Sequence, residues 1–170
     1  MISKKIILIG DFSTGKTSLI RRFVDNQFSD TYLSTIGVKI SKKLIRLANG
    51  EVLQGLIWDI EGGTEQKPLN TTYLIGAHGC IIVADVTRQE TISNIKSYIE
   101  SVQKISVSAP FILVLNKCDC ISTSQREEIF DKVLSMYNCT TREIYLASAK
   151  SGEGVETMFN AIAGQMLAKG

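Results

Sequence analysis

Short, nearly continuous apolar runs alternate along this chain with stretches whose apolar residues recur every three or four positions. Lys5–Ile9, Cys80–Val86, Phe111–Leu115 and Ile144–Ala147 are runs of the first kind, as expected of strands buried on both faces of a parallel sheet. The second kind puts Leu19, Ile20, Phe23 and Val24 on one helical face and Ile92, Ile95, Ile99 and Val102 on another. Ile129, Val133 and Met136 make a further stripe, and Val155, Phe159, Ile162 and Met166 a last one. Val38–Leu47 and Glu51–Asp59 flank Ala48-Asn49-Gly50, which predicts a β-hairpin with a tight turn. The pattern predicts an α/β fold in three layers: a six-stranded, mostly parallel sheet flanked by about five helices. No repeat, linker or low-complexity segment interrupts it, so residues 1–170 read as a single domain, long enough for a substantial core.

In open α/β sheets ligands bind beyond the carboxyl ends of the strands, and the polar motifs of this chain fall there. Gly10-Asp11-Phe12-Ser13-Thr14-Gly15-Lys16-Thr17 joins the first apolar run to the helical stretch beginning at Ser18. This is the strand–loop–helix setting of a phosphate-binding loop. Its backbone N–H groups, those of Ser13, Thr14 and Gly15 among them, can wrap a polyphosphate, and the helix start offers unpaired donors. Lys16 supplies a mobile charge for the outer phosphates, and the Thr17 hydroxyl suits a magnesium ligand. Phe12 is the oddity, a bulky side chain where phosphates would be crowded. Asp59-Ile60-Glu61-Gly62 ends another strand. The Asp59 carboxylate can hold magnesium and the Gly62 N–H can reach a terminal phosphate, although this short pattern is weak by itself. Asn116-Lys117-Cys118-Asp119 follows a third strand. The Asp119 carboxylate can accept both donors on the edge of guanine, with Asn116 and Lys117 bracing the loop and covering the base. Ser148-Ala149-Lys150 follows a fourth, where a backbone N–H can reach the guanine oxygen.

Bulk properties narrow the classes. A net charge of +2 gives no basic footprint for nucleic acid. The four cysteines form no C-x-x-C pair, and Cys118-Asp119-Cys120 is too closely spaced for zinc or redox motifs, so reduced thiols in a cytoplasmic protein are expected. The first strand begins too early to leave room for a signal peptide, and no apolar stretch approaches a membrane span. Met166–Gly170 holds no cysteine for prenylation. Peripheral membrane attachment is therefore expected only through a lipidated tail outside this sequence.

Taken together, these motifs resemble a Ras-superfamily small GTPase, and most of all its Rab branch, over essentially the whole chain. Thr31-Tyr32-Leu33-Ser34-Thr35-Ile36-Gly37-Val38 is similar to the Rab switch I segment. Leu56-Ile57-Trp58-Asp59 and Gly76-Ala77-His78-Gly79 resemble the segments around switch II, and Asp85-Val86-Thr87 continues the likeness. The resemblance implies a P-loop NTPase fold binding GTP or GDP with Mg2+, the cation being held by Thr17, Thr35 and Asp59. It implies that Phe28 stacks on the guanine, that Ser18 joins the phosphate site, and that Lys16, Thr35 and Gly62 serve hydrolysis. It further implies switch loops ordered by GTP and relaxed by GDP, read by effectors and served by exchange factors and activating proteins, as in signalling and vesicle transport.

Departures from that family sharpen the expectation. Aligned without gaps, the glutamine that orients the attacking water is replaced by Gly63, which is expected to slow hydrolysis. A shifted alignment would bring Thr64 or Gln66 there instead. Glu61 stands at the family's alanine, where a carboxylate near the terminal phosphate would add repulsion, and Phe12 would obstruct an arginine finger. Of the aromatic triad beside the Rab switches, Trp58 and Tyr73 are present, but Ile40 replaces a phenylalanine and Lys39 reverses an acidic charge.

Each singled-out residue also has a plainer reading. Trp58 reads as a core aromatic as readily as a partner contact. His78 reads as structural, Cys118 as an inert thiol, and Lys42-Lys43 as a solvated strand edge. Three functions are distinguished: a slow GTPase switch, a hydrolysis-deficient GTP-binding scaffold, and a P-loop kinase. The guanine motifs argue against the last.

Overall fold

A computed structural model describes residues 1–31 and 34–169 of the chain. Tyr32 and Leu33, within the segment similar to switch I, and Gly170 lie outside the described residues. Strands β1 (Ile2–Gly10), β2 (Val38–Arg46), β3 (Val52–Ile60), β4 (Gly79–Asp85), β5 (Phe111–Asn116) and β6 (Ile144–Leu146) form one sheet, in the order β2-β3-β1-β4-β5-β6. Only the β2–β3 hairpin is antiparallel; the other pairings are parallel.

β1 starts at Ile2, before the apolar run that marks it. Its first residues pair with β3 alone (Ile2↔Leu53), and β4 joins only from Ile6↔Gly79. The run of apolar residues thus marks the part of the strand with a neighbour on each side. There, Ile6, Leu8, Ile81, Val83, Ile112 and Val114 contribute to one core, and Ile7, Ile9, Ile82, Leu113 and Leu115 to the other. Alternate residues of each strand fill opposite layers, so every position is apolar.

Five α-helices lie among the described residues: α1 (Lys16–Asp25), α2 (Gln89–Ser93), α3 (Ile95–Ile105), α4 (Thr123–Met136) and α5 (Val155–Ala168). α1 and α5 cover the first core, where Phe23 and Phe159 stack with ring centroids 4.0 Å apart. The stripe Ile92–Val102 spans two helices, because regular bonding lapses at Asn94 although its backbone remains helical. Both pieces still bury their face: Ile92, Ile95 and Val102 are inside. In α4 the stripe differs from the expected one. Val133 is buried, but Met136 is exposed, and Phe130, Leu134 and Tyr137 pack in its place. Ser122 caps this helix, its hydroxyl accepting from Gln125 N while the Gln125 side chain accepts from Ser122 N, a reciprocal arrangement that satisfies two otherwise orphaned donors. No helix of the described residues is long and apolar enough to cross a membrane.

Candidate nucleotide site

The turns that leave β1, β3, β5 and β6 at their carboxyl ends, with the residues before β2, line a cleft of about 330 Å³, a size in the range of small-molecule sites. All the residues nominated from sequence for nucleotide binding line it except Thr14 and Ser148. Thr14 is buried, and its hydroxyl donates to Asp11 O at 3.0 Å, closing the phosphate loop from within. Ser148 is buried as well and donates to Asp119 Oδ1 at 2.7 Å, fixing the carboxylate expected to face guanine. Cys120 lines the cleft too, a residue the motifs did not single out.

The phosphate loop is held by the carboxyl end of β5. The Asn116 side chain donates to Thr14 O at 2.9 Å, and Lys117 Nζ donates to Ser13 O at 3.1 Å. Gly15, at φ +94, occupies the left-handed region, and a Cβ there would strike the Asn116 amide. A side chain is excluded both by backbone conformation and by space. Lys16 is almost wholly buried, with Nζ donating to Gly10 O at 3.2 Å and Asp11 O at 3.0 Å. Burial pulls its pKa down to about 8, against the attraction of Asp59 and Asp11. Anionic phosphate beside it would favour the charged form again.

Three oxygen-bearing residues meet at one point. Thr17 Oγ1 donates to Asp59 Oδ2 at 2.6 Å and lies 2.6 Å from Thr35 Oγ1, which is 3.1 Å from the same carboxylate oxygen. Asp59 is buried, and burial raises its pKa against hydrogen bonds from Thr17 and Thr35 and the charge of Lys16. Its Oδ1 is buried without a hydrogen-bond partner. An orphaned anionic oxygen beside two hydroxyls is a hard-donor set that fits Mg2+. Among the described residues no cluster of three or more His, Cys, Asp or Glu side chains that could hold a metal is present.

At the base-binding motifs the loops brace one another. Lys117, at φ +66, forms an ion pair with Asp85 Oδ2 at 2.7 Å. Burial pushes the Asp85 carboxyl up, but hydrogen bonds from Lys117 and Thr87 outweigh it and hold it below the ordinary range. Arg22 donates from α1 to Ala149 O at 2.8 Å and Lys150 O at 2.6 Å. The Ala149 N–H, expected to reach guanine, donates at 3.4 Å to Asn116 Oδ1. Asp85 and Arg22 brace these loops, though neither was nominated from sequence as a site residue. A buried carboxylate closing a strand is the one signal that could have found Asp85.

The departures from the family take definite positions. Phe12 is half-exposed on the cleft wall, and its carbonyl accepts from Arg88 Nη2 at 2.7 Å. Gly62 also lines the cleft, whereas Gly63, Thr64 and Gln66 do not. Thr64 and Lys67 bond each other in a closed turn, through Thr64 N to Lys67 O and Lys67 N to Thr64 Oγ1, both at 2.9 Å. Under either alignment, the residue at the expected position lies outside the cleft lining. Glu61 corrects the expectation of repulsion: its carboxylate turns away from the phosphate side and accepts from Gly37 N at 3.1 Å and Lys67 Nζ at 3.1 Å. Two plainer readings hold. His78 Nδ1 accepts from Lys5 N at 2.9 Å, pinning a loop to β1, and Cys118 is buried. Trp58 leans on Tyr73 with ring centroids 6.3 Å apart, carries Lys5 Nζ over its ring at 3.8 Å, and faces Ile40 across the hairpin.

Comparison with known proteins matches residues 5–168 to the Ras family. The chain is 33% identical to Ras-related protein Rab-13 of Mesocricetus auratus over 167 residues, covering 97% of this chain and 80% of that protein. It is 36% identical to Ras-related protein Rab-1C of Dictyostelium discoideum over 160 residues (94% and 78% of the two chains). It is likewise 36% identical to Ras-related protein Rab-1 of Theileria annulata over 162 residues (94% and 72%).

Proposed function

The chain belongs to the Ras family of small GTPases and is most similar to its Rab members, and on that premise we propose that residues 1–170 are one GTP/GDP switch domain that hydrolyses GTP slowly unaided. One observation carries the slow rate: Gly63 is buried against Tyr98 and the phosphate loop, and no residue after Gly62 lines the cleft until Asn116. Phosphoryl transfer depends on positioning and charge, and here the positioning of water is missing.

In this reading the loop amides from Ser13 to Ser18 and the Lys16 ammonium hold the phosphates, while Gly62 offers its N–H to the terminal one. Thr17, Thr35 and Asp59 hold Mg2+, which when bound neutralises charge on the phosphate oxygens. Phe28 and Lys117 cover the base, Asp119 accepts its two donors, and Ala149 and Lys150 close the loop around it. Exchange factors, activating proteins and effectors engage the switch regions, at the faces around Ile36 and Tyr73. The hydrolysis-deficient scaffold remains the second reading, favoured by the hydrogen bonds that join the Gly62 segment to the phosphate loop.

Single-turnover hydrolysis of bound GTP tests the first reading. The expected rate lies at least about tenfold below that of a glutamine-bearing relative; a rate equal to the relative's overturns it. Chromatography of the co-purified nucleotide over time separates switch from scaffold. Conversion to GDP marks the switch, and GTP retained for many hours marks the scaffold.

A further inference from the structure

The antiparallel ladder of β2 and β3 does not end at Val38 and Ile60. At the next position Glu61 N donates to Gly37 O at 2.8 Å. The returning bond comes from a side chain: Gly37 N donates to the Glu61 carboxylate at 3.1 Å, where a ladder would use a backbone carbonyl. Lys67 Nζ neutralises the same carboxylate at 3.1 Å. Gly37 sits at φ +70, a left-handed conformation that lets the chain turn into this pairing.

The same short segment is gripped from its other side. Gly63 N donates to Gly10 O at 3.2 Å, and Phe12 N donates to Gly63 O at 3.0 Å. Gly62 between them packs so closely that a Cβ would stand 2.5 Å from Phe12 Cα. Residues 61–63 are thus a belt between the 35–37 segment and the phosphate loop. Every bond in it is made by the protein to itself, and none requires a terminal phosphate. An alanine at position 61 has no acceptor to offer Gly37 N–H.

We propose that Glu61 is a positioning residue that holds residues 35–37 closed over the cleft with either nucleotide bound. The face formed by Ile36, Gly37, Pro68 and Tyr73, which lines an outer hollow of about 250 Å³, is then presented to partners in the GDP form as in the GTP form. This reverses the expectation of a GDP-relaxed switch. It rests on the nucleotide-binding reading above, is independent of the hydrolysis rate, and sides with the scaffold against the switch.

The experiment is amide hydrogen exchange on the whole chain, loaded with Mg2+ and either GDP or a non-hydrolysable GTP analogue, with bound nucleotide quantified by chromatography. Wild-type amides in 35–40 should exchange within about twofold of each other in the two forms. In Glu61→Ala the GDP form should lose protection there by about tenfold, the effect of removing a charged acceptor, while the analogue form keeps more of it. Glu61→Gln should recover part of the protection, because its amide oxygen still accepts from Gly37. Wild-type GDP protein exchanging about tenfold faster than the analogue form overturns the proposal. So does a Glu61→Ala variant whose two forms stay as alike as the wild type's. Absence of stoichiometric guanine nucleotide would sink the nucleotide-binding reading itself, a failure seen separately on the column.

Discussion

The Tyr98 hydroxyl stands 2.7 Å from where the Cβ of any residue other than glycine at Gly63 would lie. That hydroxyl is not free to withdraw. It donates to Asp11 Oδ1 at 2.7 Å, and Asn94 donates to the other oxygen of the same carboxylate, also at 2.7 Å. The space a side chain at position 63 would need is thus held by a buried, hydrogen-bonded tyrosine.

It follows that Gly63→Gln by itself will not restore hydrolysis. The substitution should destabilise the protein by ~1–3 kcal/mol through overpacking. Adding Tyr98→Phe leaves the ring carbon at 3.8 Å, an ordinary contact, and should recover part of that loss. Urea denaturation of the two single variants and the double variant reads the coupling. A Gly63→Gln protein as stable as wild type would show that Tyr98 does not occupy the position.

Guanine preference should rest on Asp119, whose carboxylate is steered by Ser148. Asp119→Asn is expected to weaken guanine nucleotide binding about 10- to 100-fold, the effect of losing a charged acceptor. Ser148→Ala should weaken it less. Competition between fluorescent GDP and other nucleoside diphosphates measures both, and unchanged discrimination in Asp119→Asn would place the base elsewhere.

Arg22 ties α1 to the Ala149 and Lys150 carbonyls without lining the cleft. Arg22→Ala should speed nucleotide release by about tenfold, since two charge-assisted bonds to the base loop disappear. The rate of hydrolysis of bound GTP should hold steady. Stopped-flow release and single-turnover assays separate the two effects.

Burial and then the Glu153 carboxylate raise the Cys118 thiol from an ordinary 9.0 to about 11. The folded chain thus keeps a proton that the unfolded chain loses between those values. This contribution to stability is complete below pH 9 and is lost as pH climbs through 11. Cys118→Ser lacks the titration, so wild type should lose ~1–3 kcal/mol more than the variant between pH 8 and 11, at ~1.4 kcal/mol per unit. Urea midpoints at both pH values decide it; parallel losses would refute the assignment.

The strands and the motif residues were legible because each announces itself over neighbouring positions. A strand with partners on both sides is apolar throughout, and a phosphate loop needs its glycines and lysine within a few residues. What was not legible acts across the chain. Arg22 reaches residues 127 and 128 positions away, and Tyr98 meets Asp11 across 87; no local spacing encodes either. Glu61 was misread for another reason. Its place in the motif implied a direction toward phosphate, but the Gly37 N–H, just before β2, takes the carboxylate as its acceptor beside the sheet. The α4 stripe shifted because that helix lies mostly exposed, and a weak apolar pattern leaves its rotation to tertiary packing.

The bonds from Asn116 and Lys117 to the carbonyls of Thr14 and Ser13 fix the curve of the phosphate loop through the protein's own groups. A loop shaped by its neighbours loses little chain entropy in cradling a ligand, which favours tight association and a long residence time. The same bonds make the two ends of the ligand cooperate. A fragment carrying only the base, by steadying the turn after β5, also steadies the curve that waits for phosphate.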